Sequence, residues 1–242
     1  MNVWICIGLF ALATASSFTQ RVTGFGFGIL MMTLLPVLAP SYGEATALSG
    51  LLAIFTALVP AIQTRKQLDW KKLLPILLVF LITAWLGVLL LTHLESGLMK
   101  HVVGGVLIAV SLWFFITGGR IRLAPTWPLQ AGMGTLSGLM GGLFAMQGPP
   151  AVIYFLAVAD TKEQYIALTQ WFFLIGNIFM AFFRAGSGFV TVPVLKLWCV
   201  AIPGVFLGLW LGAKVYKKIR TEELRRVIYA FLAVAGLLAL LS

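Results

Sequence analysis

Two long apolar runs, each broken once by glycine or proline, constrain this chain more than any other feature. Residues 3–40 form the first, interrupted by Gln20-Arg21-Val22-Thr23-Gly24 and the GFGFG that follows; residues 128–159 form the second, interrupted at Ala145-Met146-Gln147-Gly148-Pro149-Pro150. A helix crossing the hydrocarbon core takes about 20 mostly apolar residues. Each run is therefore too long for one crossing, while its two pieces, roughly 15 to 18 residues each, are short for two. With 61% of residues apolar and 10% charged, no soluble domain could cover itself with polar surface. The chain reads as an all-α integral membrane protein, one transmembrane domain over residues 1–242, set in a cell membrane and, if the source is prokaryotic, the inner membrane.

Ordinary spans are expected near residues 45–64, 73–92, 98–117, 165–183, 192–213 and 227–241. The start of the chain lacks a basic region ahead of its apolar run and is read as mature structure rather than a leader. A constant offset of 120 residues carries Ser17 onto Ser137, Gly28 onto Gly148 and Ala47 onto Ala167. The expectation is an internal repeat, about 10–120 and about 130–242, each half a broken or re-entrant hairpin followed by three spans, a plan common among transporters.

Charge distribution chooses the topology. If each broken run crosses once, the basic residues between spans divide eight against eight. If each enters and leaves on the same side, they divide thirteen against three, with Lys100, Arg184 and Lys196 alone on the poorer side. Cytoplasmic loops carry the excess of Lys and Arg, so the second arrangement is expected. Each half then has an odd number of full crossings, and the halves lie inverted. The net charge of +10 is accounted for by topology, with no nucleic acid as partner.

Irregular backbone at membrane depth is tolerated only where protein buries it or a wet cavity receives it. The two breaks are therefore expected to face each other near the midplane. The outgoing half-helices would point their N-termini, with unpaired N–H groups and positive dipole ends, at that meeting point, an arrangement that favours an anion. Gly24, Gly26 and Gly28 would let the backbone turn and approach a ligand, and Pro149 suits a first helical turn. Arg21 stands out as a basic residue inside an apolar run, where charge is functional by default; a structural arginine at an aqueous mouth is the alternative. Gln20, Thr23 and Gln147 can donate at the tips, with Gly148 beside them. Gln170 and Asn177 share a helix face, which suits interhelical hydrogen bonds, and Asn177 is retained as a candidate ligand. Gly134/Gly138/Gly142 and Gly204/Gly208/Gly212 have the spacing of helix-packing stripes. Glu44 and Asp160, at equivalent places after the two breaks, read as solvated loop ends. Cys6 and Cys199 read as buried thiols, and no cofactor, metal cluster or catalytic motif is expected.

The segments TGFGFGILMMTLLPVL and LSGLMGGLFAMQGPPAVIYFLA resemble the paired motifs of the TauE/SafE sulfite exporter family, also called the toluene sulfonate uptake permeases. The second reads FAMQGPP in place of the commoner glycine-rich form. The resemblance implies secondary transport of sulfur-containing or organic anions such as sulfite, sulfonates or sulfoacetate, and places the family motifs on Gly24, Gly26, Gly28, Gln147, Gly148, Pro149 and Pro150. An anion channel and a membrane-embedded assembly subunit without transport are the competing classes. Partners are a small anion and the lipid bilayer, with a coupling proton or sodium ion and a homo-oligomer left open.

Overall fold

The computed structural model of the chain describes residues 3–93, 126–218 and 223. The spans expected at 98–117 and 227–241 lie outside these residues. All regular structure among the described residues is helical: α1 (Val3–Thr23), α2 (Phe27–Leu38), α3 (Tyr42–Gln63), a single 3-10 turn (Arg65–Gln67), α4 (Trp70–Thr92), α5 (Trp127–Phe144), α6 (Gly148–Val158), α7 (Lys162–Gly186) and α8 (Val192–Tyr216). Five of these, α1, α3, α4, α7 and α8, are long and apolar enough to cross a bilayer. The protein is a multi-pass membrane protein.

Both broken runs are helix pairs, but their arms are unequal. The first divides into 21 and 12 residues, the second into 18 and 11. The first break also comes later than the polar residues imply, because α1 continues through Gln20, Arg21 and Thr23. Thr23 Oγ1 donates to the Thr19 carbonyl at 2.9 Å, as a threonine in a helix commonly does. The helix ends only where Gly24 and Gly26 adopt left-handed φ of 88° and 101°, conformations other residues rarely reach. At the second break Ala145 takes the left-handed position, with φ 56°. Its N–H bonds to Gly141 O, the 5→1 bond of an αL cap, and Met146 N–H bonds to Met140 O, which together close α5.

Matching caps start the next helix in each half. The Ser41 side chain accepts from Glu44 N–H at the start of α3, and Thr161 accepts from Gln164 N–H at the start of α7. Both are Ser/Thr-x-x-Glu/Gln sequences, the capping-box pattern.

Three contacts organise the bundle: α1 on α8, α4 on α5, and α3 on α7. Glycines carry the first two. A Cβ at Gly204 would meet Phe10 O at 2.5 Å, one at Gly208 would strike Thr14 O and Ser17 Oγ, and one at Gly212 would reach Phe18 O at 3.0 Å. Likewise Gly134, Gly138 and Gly142 lie on Ile76, Phe80 and Ala84. In both seams the contacts advance in the same direction along both helices, so α1 runs parallel to α8 and α4 to α5. In the third seam Gly43 meets Phe189 and Gly50 meets Arg184, so α3 and α7 are antiparallel. Between lipid-bathed helices there is no hydrophobic drive to associate, and close backbone approach at small residues supplies the dispersion contact instead.

The α3 and α7 pair forms the centre, buried over most of its length, whereas α1, α4 and α8 expose more than half of theirs. Trp85, Leu86, Phe182, Phe206 and Trp210 form part of the apolar exterior. Cys199 is also exposed and Cys6 partly so, contrary to expectation, because an apolar segment in a membrane protein faces lipid as readily as core.

The starts of α4 and α8 tie down the connection that follows each break. Lys72 Nζ donates to Val158 O at 2.8 Å and pairs with Asp160 at 2.8 Å, where the carboxylate is mostly exposed. At the other location Thr191 Oγ1 donates to Glu44 Oε1 at 2.5 Å. Glu44 is 8% exposed, not the solvated end its sequence context implied, because Thr191 and the start of α8 cover it.

Candidate functional site

The two breaks meet. A Cβ at Gly28 would strike the Ala145 carbonyl oxygen, and one at Gly148 would lie 3.5 Å from Phe25 Cβ. Beside this contact is a cavity of about 30 Å³ bordered by Gln20, Gly26, Gly28, Met146, Gln147, Gly148 and Asn177, with Ile29, Ala53, Ala145 and Phe173 supplying apolar wall. At roughly 10–15 Å³ per water by this measure, it has room for two or three waters or one small anion.

Helices α2 and α6 both begin at this cavity, at Phe27 and Gly148, and neither start is capped by a side chain. An uncapped start leaves its first N–H groups without intrahelical partners and concentrates about half a positive charge there. The two starts are not equivalent donors. Pro149 and Pro150 remove two N–H groups from the first turn of α6, so that end contributes its dipole and few hydrogen bonds. Gln147, immediately before it, adds an amide side chain to the same spot. Its Oε1 is buried and has no hydrogen-bond partner, and the residue is 6% exposed. A buried acceptor left unsatisfied costs free energy, which a water or a protonated oxyanion in the cavity would remove by donating to it.

Six of the residues expected at a binding site line this cavity: Gln20, Gly26, Gly28, Gln147, Gly148 and Asn177. Thr23, Gly24 and Pro149 build the turns behind it. Thr23 Oγ1 bonds to Phe25 O at 2.7 Å, the Gly24 carbonyl accepts from Gln170 Nε2 at 2.6 Å, and Pro149 is buried in the first turn of α6. Arg21 is not on the cavity wall. Consecutive helical residues point about 100° apart, so with Gln20 turned inward Arg21 turns toward α8 and the end of α3. Its Nη2 donates to Gln63 Oε1 at 2.6 Å, and its guanidinium lies 5.6 Å from the Tyr216 ring centre.

This placement changes the expected effect of replacing it. Arg21→Gln should leave anion affinity within about threefold of wild type while lowering stability by about 1.5–3 kcal/mol, the range for a hydrogen bond to a charged group. Isothermal titration and thermal unfolding of the same sample separate the two effects, and a hundredfold loss of affinity at unchanged stability would return Arg21 to the site.

One helix supports both breaks. Along α7, Tyr165 Oη donates to Thr23 O at 3.0 Å and Gln170 to Gly24 O, bracing the first break, while Arg184 Nη2 donates to Gly141 O at 2.7 Å, bracing the second. Between them Asn177 borders the cavity. Gln20 Nε2 joins this set through Thr56 Oγ1 at 2.7 Å and Gln170 Oε1 at 3.4 Å. Gln170, Asn177 and Arg184 follow one another at seven-residue steps, which keeps them on one face of the helix.

Arg184 is the residue that sequence reasoning misplaced. Expected as an external charge beyond the end of a span, it is 0% exposed and inside α7. The charge bias of the loops does not depend on it. Its signal was present in the continuation of the Gln170–Asn177 spacing by one more step.

Comparison with known proteins gives a consistent picture. A family described as "Sulfite exporter TauE/SafE" matches residues 9–239. The chain is similar to a probable sulfite/organosulfonate exporter TauE of Cupriavidus necator, 25% identical over 95% of this chain and 91% of that one. It is also similar to a probable membrane transporter protein of Methanocaldococcus jannaschii, 25% identical over 73% of this chain and 70% of that one. No solved structure matches it.

Proposed function

Because this chain belongs to the sulfite exporter TauE/SafE family and is a membrane transporter rather than an enzyme, we propose that it is a secondary transporter of a small sulfur oxyanion, bound where its two broken helices meet. The observation that carries this reading is the convergence of two uncapped helix N-termini on one cavity. Helix starts of this kind are anion sites, and the unpartnered Gln147 oxygen beside them can accept from a protonated oxyanion. The Cupriavidus necator relative is named for sulfite and organosulfonate. The size of the cavity favours sulfite over an organosulfonate with a bulky tail.

The mechanism we infer uses inverted repeats. In support, exchanging α1, α2, α3 and α4 with α5, α6, α7 and α8 maps the α1–α8 seam onto α5–α4 and the α3–α7 seam onto itself. Parallel running in the first two seams and antiparallel running in the third fit halves of opposite orientation. The Lys72 and Thr191 ties, one at the start of each equivalent helix, fit the same exchange. Two such halves can rock about a site held at their interface, which opens first to one side and then to the other. With the basic loops in the cytoplasm, the two openings correspond to the Lys72 side and the Thr191 side.

A thermal-unfolding panel of purified protein with sulfite, sulfonates and carboxylates tests the reading. A ligand binding only the folded state raises its apparent stability, so sulfite should raise the unfolding temperature most. Gln147→Ala and Asn177→Ala should each weaken sulfite binding about twofold to tenfold, the loss of one neutral hydrogen bond. Equal stabilisation by carboxylates, or wild-type affinity in both variants, would overturn it.

A further inference from the structure

The molecule contains a second set of unsatisfied donors, and it is charged. Arg184 is completely buried, and of its three guanidinium nitrogens only Nη2 has partners, the carbonyls of Gly141 at 2.7 Å and Gly142 at 3.4 Å. Nε and Nη1 have none. The ion pairs among the described residues are Lys72–Asp160 and Lys162–Glu163, so no described carboxylate neutralises Arg184. A buried charge without a counter-ion is costly, and within a membrane span such a charge marks an ion path.

The geometry connects this charge to the cavity. A Cβ at Gly50 of α3 would lie 2.7 Å from Arg184 Nη1 and 4.0 Å from Asn177 Oδ1. Nη1 of the guanidinium therefore packs directly against Gly50, which has no side chain to displace it, and the cavity-lining amide of Asn177 flanks the same position. The Tyr42 hydroxyl, also buried and unpartnered, is within electrostatic reach of Arg184. Arg184 lies about two helical turns beyond Asn177 on the same face of α7.

We propose that Arg184, seated against Gly50 beside Asn177, is a second anion contact, at which an oxyanion passing to or from the cavity is held by the charged Nη1 end of the guanidinium. This inference rests on the cavity being the transport site. It adds the counter-charge that the cavity itself lacks, since every residue bordering the cavity is neutral. The unpartnered Nη1 offers a charged N–H donor, which suits sulfite and any other small oxyanion with delocalised charge. Two of its nitrogens remain available while the third holds the end of α5. The anion would thus be gripped by the same side chain that fixes the second break, so occupancy and the position of that break are linked.

The test is sulfite binding by isothermal titration in detergent, with thermal unfolding of each variant. Arg184→Gln should weaken binding about tenfold to hundredfold, the loss of a charge-assisted contact. Because that variant also gives up the bonds to α5 and can fail to fold, Gly50→Ala decides the matter independently. Its methyl would lie 2.7 Å from Nη1 and push the guanidinium end out of its seat while the charge stays in the protein, so binding should fall at least fivefold, with any loss of stability read separately by thermal unfolding. Arg184→Lys, which keeps the charge and loses the fork, should fall between wild type and Arg184→Gln. Wild-type affinity in Gly50→Ala overturns the proposal. Gln147→Ala in the same series separates the two readings. If it alone is weakened, the cavity holds the anion and Arg184 is structural; if Gly50→Ala alone is weakened, the anion sits at Arg184 and the cavity reading fails.

Discussion

Gly28→Ala, the addition of one methyl group, should abolish measurable anion binding, at least a hundredfold loss of affinity, while the protein remains folded. The new Cβ would run into the Ala145 carbonyl oxygen and would lie 3.7 Å from Met146 Cα. These are backbone atoms, held by the αL cap of α5 and by Arg184 on Gly141, so they cannot swing aside as a side-chain end would. The two breaks must separate instead, and with them the two helix starts that face the cavity. Overpacking of this kind typically costs about 1–3 kcal/mol. The α1–α8, α4–α5 and α3–α7 seams do not pass through Gly28, so they should hold the bundle together at that cost. Sulfite titration alongside size-exclusion chromatography checks both halves of the expectation. A folded Gly28→Ala protein that binds sulfite normally would show that contact between the breaks is irrelevant to the site.

Gly208→Leu should have the opposite profile: little folded protein, and no selective loss of function in what folds. Gly208 lies in the middle of the stripe against α1, where a Cβ would strike Thr14 O and Ser17 Oγ and approach Phe18 N at 2.8 Å. Ser17 Oγ already donates to Val205 O at 2.7 Å across the same seam, and a leucine would break that bond as it forced the helices apart. Neighbouring Gly204 and Gly212 pin the approach on either side, leaving no register shift that relieves the clash. The expected cost exceeds about 3 kcal/mol, the upper end for overpacking in a close-packed seam. Folded yield by fluorescence-detected chromatography and the unfolding midpoint measure it. A well-folded Gly208→Leu protein with wild-type stability and no transport would move this stripe from packing to function.

The contrast between these glycines shows what was legible in the residue pattern. The Gly204/Gly208/Gly212 spacing identified a packing face before its partner was known, because a four-residue step places small residues on one side of a helix whatever lies opposite. The break at 145–150 was legible for a similar reason: Pro149 and Pro150 suit only the first turn of a helix, and α6 begins at Gly148. The first break begins at Gly24, four residues after the start of the polar run at Gln20, while the GFGFG end of the expected break is where the chain turns. Polar residues were taken as its position, yet Gln20 and Thr23 find partners in Thr56 and the Thr19 carbonyl and stay helical.

What the amino-acid order determined by itself is the medium, the helical class and the places where helices stop. In lipid every backbone group must be satisfied within its own segment, so run length and backbone breakers, both local properties, decide these things. Which polar side chains face a common cavity was settled only by tertiary structure. Gln20 and Arg21 are adjacent in the chain and equally polar, and the way α1 seats on α8 alone turns one toward the cavity and the other toward Tyr216. Arg184 is the sharper case. Near the end of an apolar span it has the local context of an exterior charge, and it is interior because α3 presents Gly50 and α5 presents the carbonyls of Gly141 and Gly142 exactly one side chain's length away. Those neighbours lie more than forty residues from it in the chain, beyond the reach of any local pattern.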